Sequence, residues 1–170
     1  MDEQNPYRGP DAAVAEVSST DELAGRGTRL GASLIDGIIM LVIMVPLMFV
    51  GGYWTAAMEA GQSGQGIGFG TTLLWVAISF VVFAVVQSMP LNASGQTWGK
   101  KALKIKIVDL NGNKPPLGQL LGVRYLPIQA VGVIPFLGSI IQLVDVLLIF
   151  RSDRRCGHDL IAGTKVVHAD

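Results

Sequence analysis

Cysteine, histidine and charge are what this sequence has least of. A single cysteine, Cys156, excludes an internal disulfide and any cysteine-rich metal site. Charged residues make up 15% of the chain, where soluble domains carry about 25%. Thirteen Lys and Arg balance thirteen Asp and Glu, so net charge offers nothing to a nucleic acid, and no such partner is expected. The first residues, MDEQNPYRGP, are polar and acidic, without the basic start and short apolar core of a cleavable signal peptide. No nucleophile–base pair and no HExxH pattern is present, and Cys156, His158 and Asp159 have no second cysteine to complete a metal site. Neither an enzyme nor a cofactor is expected. GQTWGKK, Gly95 to Lys101, is one residue short of a phosphate loop and has Lys where Ser or Thr would hold magnesium, so it reads as a turn leading into a basic strand.

Half of the 170 residues are hydrophobic, and they are concentrated in runs. Residues 1–25 are rich in Pro, Ala, Ser and acidic side chains and are expected to be a disordered tail. Residues 30–50 supply about 20 apolar positions, enough to span a hydrocarbon core of about 30 Å as a helix, and Pro46 is tolerable in such a helix. Residues 71–90 form a second span without an ionisable side chain. The Gly-rich stretch between them, 51–70, has no Lys or Arg and reads as a loop. The aromatics Tyr53, Trp54, Trp75 and Trp98 fall near the expected boundaries, where interfacial belts form. A third apolar stretch, 116–150, is too long for one span and short for two. Pro127, Pro135 and Gly138 sit towards its middle, so it is expected to be a helical hairpin of segments 117–134 and 136–150.

Lys100, Lys101, Lys104, Lys106 and Lys114 fill the polar stretch between the second span and the hairpin. In ALKIKIVDLNGN, Leu103, Ile105 and Ile107 alternate with Lys104, Lys106 and Val108, the period of a one-faced strand, and Asn111-Gly112 marks a turn. GTKVV near the C-terminus supplies a candidate second strand. A small sheet on the membrane surface is expected, with Lys100, Lys101, Lys104 and Lys106 facing water or anionic lipid head groups. The Lys and Arg bias places the N-terminus, this segment and the C-terminus in the cytoplasm.

The apolar runs carry three charges. Asp36 lies roughly 10 Å into the first span, Arg124 is seven residues into the hairpin, and Asp145 is six residues before Arg151. At about 1.5 Å per residue, all three reach one depth. Charges in such places pair with one another. Two carboxylates and one guanidinium leave one negative charge over, which a proton or a bound cation would balance. Gln142 and Ser33, each three residues before an aspartate, would add oxygen ligands. The layer has two readings: a packing lock between helices, or a cation or proton site. Arg29 is expected to anchor at the interface, and Asp159 to pair with Arg155 or cap a turn.

These residues resemble the RDD family of bacterial integral membrane proteins, named for one arginine and two aspartates. RLGASLID is similar to the family's opening pattern, with Arg29 and Asp36 on its arginine and first aspartate. SGQTWGKKALKIKIVDLNG is similar to its central segment. RRCGHDLIAGTKVV is similar to its closing one, with Asp159 as the second aspartate and Asp145 as the alternative; Cys156 departs from the Gln expected after the arginine. The resemblance covers residues 26–167. It implies a bacterial inner-membrane, multi-pass architecture and, for some members, sodium–proton exchange.

The expectation is an all-α membrane protein with two transmembrane helices, a short helical hairpin and a small cytoplasmic β element. It would translocate a small cation (sodium) or a proton through Asp36, Asp145, Arg124, Gln142 and Ser33, as a homo-oligomer, since four short segments enclose little space. The rival expectation is a non-transporting scaffold that binds partner proteins or anionic lipids through its basic sheet.

Overall fold

A computed structural model describes residues 22–134 and 136–169. The expected tail lies outside the described residues as far as residue 21, as does Pro135. Two long helices dominate the fold: α1, Arg26–Val50, and α3, Phe69–Ser94. Both are long and apolar enough to cross a membrane by length and composition. Their apolar side chains point outward: Leu34, Val42, Phe49, Val85 and Met89 are all well exposed. A surface of this kind is unfavourable in water and is matched by hydrocarbon. Pro46 and Pro90 both lie inside helices without ending them.

The stretch between α1 and α3 differs from the expected loop, because it contains α2, Tyr53–Gln62. Glycines cluster at its two ends, where Gly52 and Gly64 adopt left-handed backbones, and leave a core of good helix formers, TAAME, between them. The aromatics pack on one another here: Tyr53 stands edge-on to Trp75 at 5.5 Å between ring centroids.

The third apolar stretch doubles back as expected, in broken pieces. Its outward arm is α5, Leu117–Gln119, a π-helical turn, Leu120–Tyr125, α6, Leu126–Ala130, and a 3-10 turn, Val131–Val133. Pro127 has no N–H to give the helical ladder, and the ladder widens in the turn just before it. The return arm is α7, Leu137–Leu147, extended by a 3-10 turn, Leu148–Phe150. Gly138 permits the reversal, because a Cβ there would lie 2.4 Å from the Val131 carbonyl oxygen.

At the end of the molecule where α1 begins and α3 finishes, α4, Trp98–Ala102, leads into β1, Ile105–Asp109. After α8, Gly157–Ile161, the chain enters β2, Thr164–His168. The strands pair antiparallel, from Ile105 opposite His168 to Asp109 opposite Thr164. Residues 22–24, expected in the tail, instead pair with the other edge of β2: Ala24 N–H donates to the Val166 carbonyl at 3.0 Å and His168 N–H to Glu22 at 3.1 Å. Ala24, Ala32, Leu91, Ile105, Ile107, Leu120 and Val166 form one buried cluster that ties the sheet to α1, α3 and the hairpin.

The strand begins later than the alternation of Leu103 and Ile105 implies, because Lys104 takes a left-handed backbone after α4. Lys100 is thereby turned inward and is 8% exposed, a correction to its expected place on the lipid-facing surface. Lys101 and Lys104 are exposed, Lys101 over the Trp98 ring, and Lys106 is half-buried. Helix α4 lies so close on α1 that a Cβ on Gly99 would sit 2.1 Å from the Ala32 carbonyl oxygen. Gly99→Ala is expected to destabilise the fold by about 1–3 kcal/mol through overpacking, read as a lower melting temperature in detergent, while Gly118→Ala, with open space around it, leaves melting unchanged.

Candidate functional site: a buried arginine–aspartate cluster

Asp159 is fully buried in α8 and is the centre of the site. Its two oxygens are held separately. Arg29 from the first turn of α1 donates to Oδ2, and Arg124 from the π-helical turn donates to Oδ1. Cys156 N–H also donates to Oδ2, at 3.1 Å, which caps the start of α8, and the Thr164 hydroxyl reaches Oδ1 at 3.4 Å. Arg29 donates further to the Arg154 carbonyl and to the Cys156 sulfur at 3.6 Å. Arg124, 1% exposed, also donates to the Thr164 hydroxyl. Arg155 does not reach the Asp159 carboxylate; it donates to that residue's backbone carbonyl at 3.1 Å and to Thr164 at 3.0 Å. The expected cap is present and the expected Arg155 ion pair is not.

Burial alone would raise the Asp159 pKa, but the Arg124 and Arg29 guanidiniums outweigh it and hold the carboxyl well below the usual carboxylate range. Burial, despite the nearby Arg29 charge, pushes the Cys156 thiol up to about 11, so it stays protonated and unreactive near neutral pH. Cys156, His158 and Asp159 each bring one donor atom within 4.8 Å of the others. The two arginines already hold that carboxylate, and the thiol is no thiolate, so the trio is poorly suited to a metal.

Next to this cluster, Asp145 of α7 accepts from His158 twice: the backbone N–H donates at 2.7 Å, and the ring Nδ1 stands 2.7 Å from the other oxygen. Gly157 makes the approach possible, because a Cβ there would be 2.8 Å from the Asp145 carboxylate. Burial first, then the Arg124 charge, lowers the His158 pKa from 6.5 against the pull of both aspartates. The ring is therefore neutral at pH 7, with its Nδ1–H directed at Asp145. A largely apolar cavity of about 180 Å³, lined by Arg124, Ile128, Val144, Asp145 and His158 among others, opens beside the pair.

Asp36 belongs to a different constellation, so the expected single layer is corrected. Gln87 Nε2 donates to it at 3.0 Å, Gly99 N–H at 2.8 Å, and the Thr97 hydroxyl donates to its second oxygen. Gln87 accepts in turn from Trp98 N–H at 3.0 Å. Asp36 thus fastens α1 to α3 and α4. Arg124 pairs with Asp159 rather than with Asp36 or Asp145, because the wide π-helical turn directs it towards α8. The expected extra ligands have other partners: the Ser33 hydroxyl donates to the Arg29 carbonyl at 3.1 Å, and Gln142 donates to the Ile128 carbonyl at 3.3 Å across the hairpin. Sequence reasoning missed Gln87, Thr97 and Gly99. The signals for them were a glutamine in an otherwise apolar span and the Gly-Gln-Thr-Trp-Gly turn.

The family resemblance places an arginine at the start of the first helix, an aspartate inside it and a second aspartate in the closing segment; the structure corrects Arg29 from an interfacial anchor to a buried partner of Asp159. The RDD family model matches residues 23–163, and the chain belongs to the RDD family. YckC, an uncharacterized protein of Bacillus subtilis (strain 168), is 35% identical over 147 residues, covering 86% of this chain and 85% of its own. YxaI from the same organism is 27% identical over 85% of this chain and 97% of its own. An uncharacterized protein of Haemophilus influenzae is 24% identical over 92% and 86%. No solved structure matches the chain.

Asp159→Asn removes the carboxylate that bridges two buried arginines and is expected to cost about 3–5 kcal/mol, read as a large drop in melting temperature. His158 gives a distinct pH signature. Its folded pKa lies below its unfolded value of about 6.5, so the unfolded chain binds more protons and stability falls as pH drops from about 7 through that window. His158→Gln is expected to flatten this part of the melting-temperature profile.

Proposed function

We propose that this RDD-family protein is a multi-pass inner-membrane protein that moves a proton across the bilayer in exchange for a small cation, sodium being the ion that the family resemblance implies. The observation that carries the reading is the His158–Asp145 pair: a neutral imidazole hydrogen-bonded at 2.7 Å to an aspartate in an apolar hairpin helix, beside an apolar cavity. Histidine is the side chain whose charge changes most readily near neutral pH, and a carboxylate partner gives it somewhere to pass a proton. Asp36 has three protein donors already, which favours a fastening role over a place in the ion path. The thiol at Cys156, protonated near neutral pH, gives no support to an enzyme.

The basic end of the molecule favours a cytoplasmic location for both termini. Residues 22–24, α4, the sheet and α8 gather where α1 starts and α3 ends, and Arg26 joins that end to the return arm through the Ile149 carbonyl at 3.2 Å. The outward apolar faces of α1, α3 and α7 favour lipid and further copies of the chain as neighbours. A second reading, a scaffold docked to anionic lipids, draws on the exposed Lys101 and Lys104. The test is pH-gradient dissipation in proteoliposomes on addition of sodium. Asp145→Asn and His158→Gln are expected to lose sodium-dependent proton movement, while a folded Asp36→Asn variant keeps it. Unchanged flux in folded Asp145→Asn would overturn the translocator, and unchanged preference for anionic over neutral vesicles in a folded Lys101→Gln, Lys104→Gln double variant would count against the scaffold.

A further inference from the structure

Beside the Asp159 cluster lies a second, more enclosed cavity of about 70 Å³, lined by Arg29, Ser33, Lys100, Arg124, Cys156 and His158 and closed by Leu30, Val146 and Ile149. Three permanent cations face it. Lys100 is 8% exposed, and its ammonium has no hydrogen-bond or ion-pair partner among the described residues. Arg124 spends only Nη1 on Asp159 and Thr164, and its Nε is buried without a partner, as is the Tyr125 hydroxyl beside it. Arg29 uses Nη1 and Nη2 only.

Asp159 pairs with both Arg29 and Arg124, whereas Asp145 pairs with His158, and no carboxylate among the described residues pairs with Lys100. Lys100 is thus left without a carboxylate partner, on a largely buried side chain. Three cations with unfilled N–H donors around an enclosed space are the recognition chemistry of an oxyanion. The space, about 70 Å³, is several times the roughly 10–15 Å³ that a single water requires.

We propose that this cavity is an oxyanion site that takes one phosphate group between Lys100, Arg124 and Arg29. The group's negative charge would complete the electrostatics of the cluster, and its oxygens would accept from Lys100 Nζ and from the free guanidinium N–H groups. The ligand is either a free phosphate or the phosphate of a lipid head group, since Lys100 and Arg29 lie at the end of α1 where the apolar span begins. The inference is independent of proton movement at His158 and Asp145.

The test uses the full-length protein in detergent. Equilibrium binding of radiolabelled inorganic phosphate is measured against chloride at matched ionic strength, alongside native mass spectrometry of protein recovered from phosphatidylglycerol or phosphatidylcholine vesicles. Saturable phosphate binding that Lys100→Gln weakens by about tenfold or more, and that Lys100→Arg and the surface variant Lys104→Gln retain, establishes a free-oxyanion site. No phosphate binding, but one phosphatidylglycerol retained by the wild type and lost in Lys100→Gln, establishes the lipid head group as ligand. Wild-type protein that binds neither overturns the proposal whatever the variants do, and so does a folded Lys100→Gln variant that binds as the wild type does.

Discussion

The fold closes on one carboxylate. Asp159 takes four donors from α1, the π-helical turn and its own neighbourhood, and its bond to Arg29 spans 130 residues of sequence. Burying an ion pair is not in itself stabilising, because removing two or three charges from water costs several kcal/mol per ion. What the arrangement gains is specificity. Each oxygen is committed to a different arginine, so α8 can occupy only the position where both are reached. The hairpin, the first helix and the C-terminal strand are thereby fixed relative to one another.

The first aspartate of the family pattern works in the same way over a shorter range. Asp36 receives donors from α3 and from the turn into α4, and it holds the base of the two long helices together. Two acids on separate constellations divide the molecule. One end is dense with hydrogen bonds, three short segments of sheet and a close-packed cluster. The remaining lengths of α1 and α3 have little but side-chain contact and the aromatic group around Trp75 to hold them. Any rearrangement within the protein is cheapest at that sparser end and in the broken hairpin, where π and 3-10 turns interrupt the regular ladder.

Long apolar runs and a period of two are strong physical signals, and they made α1, α3, β1 and β2 legible in the sequence. The hairpin was legible from its length and its Pro and Gly. Helix α2 was hidden because the glycines around TAAME dominate its composition, although they lie mainly at its ends. The charge cluster was read only in part. Depth along a helix, which the sequence gives, is one coordinate; direction around it is the other, and the π-helical turn before Pro127 rotates Arg124 away from the path a regular helix would give it. Asp159 was read correctly as a cap, but a carboxylate in a short polar stretch does not announce that two arginines from distant segments will meet it. Lys100 was misplaced because a strand was read where a short helix turns it inward.

The pairing of residues 22–24 with β2 joins the first described residues to the last. The chain emerges from the ribosome in order, so α1 must enter its surroundings with Arg29 unmatched until Asp159, 130 residues later, has been made. Closure of the three-segment sheet and neutralisation of Arg29 are therefore late events that depend on the C-terminal strand. A nascent chain halted before α8 would carry an unneutralised guanidinium at the mouth of α1, so the first helix depends for its electrostatic balance on a segment made long after it.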